Sequence, residues 1–388
     1  CKIGSVVVVG GVRRSALISL SDLQDQEMAL AKSGEWWNNE GQRALANNSV
    51  CYKEKPPIGI FMKEWLTLYN SKSGERGIYN RQSAVEKSLE NGRRNPDYDF
   101  GTNPCSEIIL RPYQFCNLTE VVVRADDTIK NLERKIELAT ILGTLQSTLT
   151  DLKYLRKVWR DNTEEERLLG VSLTGIMDNE LLNTASAGYL SDLLLQLKQV
   201  AIDTNLGLSK KLDIPQSTAI TCVKPSGTVS QLVDSASGIH ARHSEYYIRT
   251  VRGDKKDPLT QFMQAAGVPV EDDIMQPDST VVFSFPVKSP KKAVTRNDTS
   301  ALEQLNLWLK YQKNWCEHKP SVTITVKEDE WLDVGAWVYE NFNDVAGISF
   351  LPHSDHTYKQ APYQECTKEE YFDLKKKMPI NINWQNLS

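Results

Sequence analysis

The chain has 388 residues, 40% hydrophobic and 25% charged, a globular balance with room for one large α/β domain or two ordinary ones. Its net charge of −4 gives no general electrostatic grip on nucleic acid, so any nucleotide it handles is expected as a small molecule in a pocket. No apolar run reaches bilayer length and no signal peptide is present, so no membrane partner is expected. Seven scattered cysteines without a C-x-x-C argue against a disulfide scaffold or zinc site and point to a reducing cytoplasm. Five histidines, four of them in His240-Ala241-Arg242-His243 and His353-Ser354-Asp355-His356, form no ligand set with a cysteine, so no directly bound metal is expected.

In chain order, residues 6–9 read as a short buried strand, followed by Gly10-Gly11-Val12-Arg13-Arg14-Ser15-Ala16. Residues 21–46 are polar and helical in character, with Asp22 as N-cap and Trp36-Trp37 packing the segment down. Residues 58–69 carry apolar side chains at helical spacing and end in a turn before the short extended piece Ile78-Tyr79. Residues 83–95 are charged, and a loop through Pro96-Asp97-Tyr98 follows. Leu132, Ile136, Ile141, Leu145, Leu149 and Leu152 mark a buried helix or helix pair over 132–159, and 190–212 repeats the signature. Residues 219–223 form a short strand entering a glycine turn, 288–299 a surface loop, 321–326 an alternating strand, 328–339 a helix and 347–351 another strand. Strands separated by long helices argue for α/β with parallel strands, as a doubly wound sheet or a barrel.

Chemistry concentrates in Asn103-Pro104-Cys105-Ser106-Glu107-Ile108-Ile109-Leu110 and in Cys116, eleven residues after Cys105. A thiol can carry a radical or reducing electrons, a carboxylate can take a proton, and an amide can hold an oxygen. Asn103 and Glu107 lie two residues either side of Cys105, so an extended loop would point all three the same way. Singly, Cys105 reads as a buried small hydrophobe and the other two as loop caps; their arrangement around one cysteine favours chemistry. A second constellation, Lys224-Pro225-Ser226-Gly227-Thr228-Val229-Ser230-Gln231, puts small and hydroxyl residues between a strand and a helix start. Such a turn gathers backbone N–H groups into an anion site, here without Walker A spacing, although a capped helix start explains Ser226 and Thr228 equally.

The strings N-P-C-S-E-I-I-L and F-C-N-L-T-E-V-V-V resemble the active-site loop of the ribonucleotide reductase catalytic subunit. The spacing of eleven is similar to that of the monomeric, adenosylcobalamin-dependent ribonucleoside-triphosphate reductases. G-G-V-R-R-S-A, the 224–231 loop, residues 238–249 and Y-K-Q-A-P-Y at 358–363 resemble the same family. The resemblance implies a ten-stranded α/β barrel with the cysteine on a central finger loop, reducing ribonucleotides, as triphosphates, to 2'-deoxyribonucleotides. It makes Cys105 the thiyl radical that takes the 3'-hydrogen, Glu107 the base for the 3'-hydroxyl, Asn103 the group orienting the sugar, and Cys116 one of two reducing thiols. It also implies Ser226, Gly227, Thr228, Val229 and Ser230 as the substrate-phosphate loop, and adenosylcobalamin as cofactor beside Leu351, Pro352 and His353. A thioredoxin or similar dithiol would supply the electrons. Arg242 and Arg249 read as ion pairs or ligand contacts alike. The pair of adjacent tyrosines expected of a class I large subunit is not found over 350–358.

On this resemblance, 1–20 enter mid-fold, 103–124 hold the finger loop and redox strand, 219–251 the phosphate loop, and 321–363 the last strands and cofactor side. An N-terminal segment with the partner cysteine, and a C-terminal cysteine tail, are expected outside the chain, through an intein or an arbitrary boundary. The alternative is a barrel fragment that works only after joining that segment.

Overall fold

The computed structural model describes residues 1, 8–9, 12–13, 16–353 and 359–387. Residues 6 and 7 of the expected first strand, the glycines and Arg14-Ser15 of G-G-V-R-R-S-A, and residues 354–358 with His356 and the first residue of Y-K-Q-A-P-Y lie outside the described residues. Besides two-residue pairings, the strands are β1 (Leu17–Ser21), β2 (Ala46–Tyr52), β3 (Gly77–Asn80), β4 (Asn117–Val122), β5 (Leu169–Thr174) and β6 (Thr221–Cys222). They continue as β7 (Tyr246–Asp254), β8 (Val270–Asp272), β9 (Thr280–Lys288), β10 (Thr323–Val326), β11 (Gly347–Pro352) and β12 (Tyr363–Glu365).

Strands β1, β2 and β3 are parallel, β11 pairs antiparallel with β3, and β10 runs parallel to β11. Strands β4, β5 and β6 are parallel, and a parallel bridge from Val223 to Pro320 joins β6 to the entry of β10. The resulting order is β4-β5-β6-β10-β11-β3-β2-β1, with five strands running one way and three the other. This is the mixed α/β architecture expected. Strand β5 is buried at all six positions, as a parallel strand covered on both faces must be.

The helices cover this sheet from outside. Ile129–Gln146 packs on β4 and β5, and Leu190–Leu212 packs on Ile129–Gln146. Leu190–Leu212 buries Leu190, Leu193, Leu194, Leu197 and Ala201 at spacings of three and four, and it stops where Asp213 turns to φ +53. Ala301–Asn314, which the sequence reading did not place, starts with a Ser300–Glu303 capping box and drives Trp308 and Tyr311 into the core. The Trp308 indole donates to Pro320 O at 2.8 Å, and that of Trp315, just past the helix, donates to Cys222 O at 2.8 Å. Two buried indoles therefore fix β6 and the entry to β10 together.

The 132–159 pattern resolves into two helices, Ile129–Gln146 and Lys157–Glu166. The 21–46 segment differs from expectation. Asp25, not Asp22, caps a single-turn helix at Gln26–Ala29, because its carboxylate is the one that reaches the N–H of Met28. Trp36 and Trp37 stack edge to face at 6.1 Å and Trp37 stays exposed, so the pair does not pin the segment. Strands β8-β9-β7-β12 form a separate antiparallel sheet that the sequence did not announce. Pro286 sits inside β9, and β7 buries only Tyr247 and Thr250, three residues apart, so the usual alternation and proline signals both mislead.

Trp308→Ala is expected to lower the unfolding free energy by about 3–5 kcal/mol, since it opens a cavity and frees Pro320 O. Chemical denaturation checks this; a loss under about 1 kcal/mol would mean that the indole is not the brace described.

Candidate active site

Gly101–Thr102 pairs with Ile109–Leu110, and the residues between them make the tip of a hairpin loop. Thr102 Oγ1 donates to Ile108 O at 2.8 Å, and Asn103 Oδ1 accepts from Ile108 N at 3.0 Å. The Ser106 N–H donates to Asn103 O at 2.9 Å, and Ser106 itself lies at φ +65. The tip is therefore a turn and not the extended run that alternation of Asn103, Cys105 and Glu107 presumed. Ser106 in the left-handed region reverses the chain there. Cys105 is left half-buried on a cavity of about 210 Å3, and Glu107 is fully buried.

The loop is gripped from both halves of the sheet. Asn47 on β2 donates to Pro104 O at 2.6 Å, and Ser321 Oγ donates to Cys105 O. The Lys319 N–H donates to Glu107 O at 3.0 Å and its Nζ donates to Ser106 Oγ at 3.0 Å. His318 accepts from the Ile109 N–H at Nδ1 (3.3 Å) and meets Leu169 O from Nε2 (2.9 Å), which fixes the neutral Nε2–H tautomer. Burial holds its pKa well below the usual value. The sequence reading passed over His318 and Lys319; their one signal is two charged-type side chains placed directly before a proline and a core strand.

Two lysines face the buried carboxylate. Lys224 Nζ donates to Glu107 Oε1 at 3.0 Å, while Glu107 Oε2 is buried without a hydrogen-bond partner. Burial pulls the Lys224 pKa down, but the charges of Glu107 and Cys105 outweigh it and raise the pKa above the ordinary lysine value. Lys224 thus links the two reactive groups that the turn separates. For Lys319 burial wins, bringing its pKa down to about 7 against the pull of Glu107. Cys116 and Ile108 both border Gly170; burial first, then the Glu107 charge, pushes the Cys116 thiol up, so it is held protonated. The same two causes raise Cys222 on β6, while Cys51 is buried on β2 and Cys1 is exposed.

In the 224–231 loop, the Ser230 N–H donates to Ser226 Oγ at 3.1 Å and Ser230 Oγ donates back to Ser226 O. Ser226 and Ser230 are both buried inside the turn, and Gly227, Thr228 and Val229 are the exposed members. The helix that follows, Val229–Leu232, is one turn long. Pro225 and Leu351 line the same cavity as Cys105 and Ser106. Leu351 is exposed, and past Pro352 the His353 N–H bonds Val326 O at 2.8 Å. Arg242 is a buried structural ion pair, doubly bonded to Asp178 at 2.8 Å, and Arg249 lies on the Tyr363 ring at 4.3 Å and bonds Pro362 O.

A solved B12-dependent (class II) ribonucleotide reductase superposes on 99% of the chain and 56% of its own length, with a TM-score of 0.77 at 23% identity. The class Id ribonucleotide reductase α subunit of Actinobacillus ureae gives 0.63 at 16% identity over 90% of the chain and 73% of its own. The fold is accordingly the α/β barrel fold of the ribonucleotide reductases. No protein-family model matches the chain. The adenosylcobalamin-dependent ribonucleoside-triphosphate reductase of Euglena gracilis is 30% identical over 397 residues, covering 98% of this chain and 52% of its own length. Its namesake from Lactobacillus leichmannii is 28% identical over 420 residues, covering 98% of this chain and 54% of its own. In sequence the chain is thus similar, over nearly its whole length, to adenosylcobalamin-dependent ribonucleoside-triphosphate reductases. It spans about half the length of the curated relatives it matches.

Two outcomes test this geometry. A lysine whose folded pKa is about 7 against about 10.4 unfolded penalises the fold fully below pH 7 and progressively less as pH rises. The thermal midpoint of the wild type should therefore gain on that of Lys319→Met between pH 7 and about 10. Parallel profiles would show that Lys319 titrates normally. Gly238, at φ +57, would place an added Cβ 2.5 Å from Lys224 O. Gly238→Ala should cost on the order of 2–3 kcal/mol in denaturant unfolding and disturb the Lys224–Glu107 pair.

Proposed function

We propose that the chain is catalytic barrel of a ribonucleotide reductase that converts ribonucleoside triphosphates to 2'-deoxyribonucleotides by thiyl-radical chemistry with adenosylcobalamin. The observation that carries this reading is a cysteine at the edge of a cavity, on a clamped loop whose neighbouring carboxylate keeps one buried oxygen unpartnered.

Cys105 takes the 3'-hydrogen of the ribose and returns it at the end. Glu107 takes the 3'-hydroxyl proton at Oε2, the oxygen that Lys224 leaves open. Asn103 has its Oδ1 committed to the Ile108 N–H, so its NH2 is the face that holds a sugar oxygen. Cys116, kept protonated by burial, supplies hydrogen as the 2'-oxygen leaves as water; with a second thiol it gives two electrons and ends in a disulfide. A thioredoxin-type dithiol in the cytoplasm would reduce that disulfide. Because Ser226 and Ser230 are buried while the residues between them are exposed, the substrate phosphates would rest on the backbone N–H groups of Gly227, Thr228 and Val229.

Leu351, 45% exposed on the cavity that Cys105 also lines, offers an apolar surface to a broad group, and Pro352 and His353 follow it in the chain. Adenosylcobalamin bound there supplies the radical that the thiol carries. The cavity, about 210 Å3, is small even for an ordinary ligand pocket and suits the sugar.

The outer edges, β1 and β4, favour a companion reading. Two further strands would complete ten, and a segment bearing them would bring the second thiol. The chain then turns over only when joined to that segment.

Cys105→Ser should abolish deoxynucleotide formation in an adenosylcobalamin assay of the joined protein while leaving substrate binding nearly intact. Cys116→Ser should still lose the 3'-hydrogen but release free base instead of product. Residual turnover above about a few per cent in Cys105→Ser would exclude the thiyl assignment, since a hydroxyl cannot replace the radical-bearing sulfur. Gly227→Pro removes a donor and should weaken triphosphate binding strongly but leave binding of the nucleoside unchanged. Equal loss for both ligands would indicate misfolding.

A further inference from the structure

Among the described residues, Lys319 is the lysine whose side chain is fully buried and whose ammonium meets the tip of the finger loop. Its relative exposure is 0%, and its Nζ sits 3.0 Å from Ser106 Oγ and 4.6 Å from the centre of the Tyr79 ring. The groups facing it are Tyr79, whose hydroxyl is spent on Phe100 O and Gly101 O, and the carboxylate of Glu107, itself held by Lys224. Space for the pair is kept by Gly347, where an added Cβ would fall 2.7 Å from Ser106 Oγ and 3.0 Å from Lys319 Nζ.

A protonated lysine has three donors and no acceptor. Ser106 Oγ must therefore accept from it, and the serine's own proton is left to point elsewhere. Ser106 lines the cavity beside Cys105, whereas Lys319 does not. A hydroxyl that accepts from an ammonium becomes a stronger donor in turn, and low surrounding polarity adds to the effect.

Resting on the nucleotide-reductase reading above, we propose that Ser106 and Lys319 act as one unit in which the buried ammonium commits the Ser106 hydroxyl as a hydrogen-bond donor to a ribose hydroxyl of the substrate. Ser106 is then a substrate-contacting residue and Lys319 a positioning residue acting through it. The unit recognises the sugar, not the base or the phosphates, and it is set between Cys105 and Glu107 where the reacting carbons must lie.

The test compares binding of CTP, 2'-deoxy-CTP and 3'-deoxy-CTP at pH 6.5, by calorimetry on the intact protein. Its variants are Ser106→Gly, Lys319→Met and the double variant. Glycine adopts φ +65 without strain, so Ser106→Gly keeps the turn while removing the hydroxyl. Each single variant should weaken CTP binding about tenfold, the double variant no further, and one of the two deoxy analogues should bind all four proteins within about twofold. CTP binding unchanged in Ser106→Gly, losses that multiply in the double variant, or equal losses for all three nucleotides would each overturn the unit. A wild type that binds none of the three would overturn the nucleotide reading itself, and the unit with it.

Discussion

The fully buried carboxylate of Glu107 sets the terms for everything around it. Taking a carboxylate out of water costs several kcal/mol even after relaxation, and a fold tolerates it only with compensation close by. Lys224 gives that compensation to one oxygen, from a strand end whose geometry depends on Gly238 behind it. The backbone of Lys319 holds the Glu107 carbonyl, and the loop that carries Glu107 is stitched to β2, β5 and the entry of β10. The remote indoles of Trp308 and Trp315 belong to the same construction, because they fix the β6–β10 junction from which the clamp projects.

The candidate site positions are legible because they are local. Cys105, Glu107 and Asn103 lie within one short string, and the two long amphipathic helices announce themselves by spacing. Direction was not legible. Alternation assumed an extended loop, and only the left-handed Ser106, with its N–H turned back to Asn103 O, decides that Cys105 reaches the cavity while Glu107 is buried. Nor could the clamp be read, since Lys319 meets Ser106 across a sequence separation of 213 residues and His318 meets Ile109 across 209. In the 224–231 loop, the sequence does not show that Ser226 and Ser230 fold inward and bond each other while Gly227, Thr228 and Val229 stay exposed.

The two cysteines of the site differ in setting. Cys105 borders the cavity beside the ammonium of Lys224, while Cys116 packs against Gly170 near Ile108, under the influence of Glu107. A thiol that burial and a neighbouring carboxylate keep protonated is a poor nucleophile and a poor metal ligand, but it is a good holder of hydrogen. The two environments differ accordingly: Cys105 lines the cavity, whereas Cys116 lies away from it and feels the Glu107 charge.

One consequence concerns the unpartnered Oε2 of Glu107. A buried acceptor without a donor costs about 1–3 kcal/mol, so the protein gives up stability to keep it. If the site served only the fold, a second donor from Lys319 would remove that cost, and Lys319 is near enough for Glu107 to raise its pKa. Its ammonium is directed to Ser106 instead. The arrangement divides two cations between a carboxylate and a turn: Lys224 holds Oε1, Lys319 holds the tip, and neither bonds Oε2. A stability-optimised variant would close that oxygen.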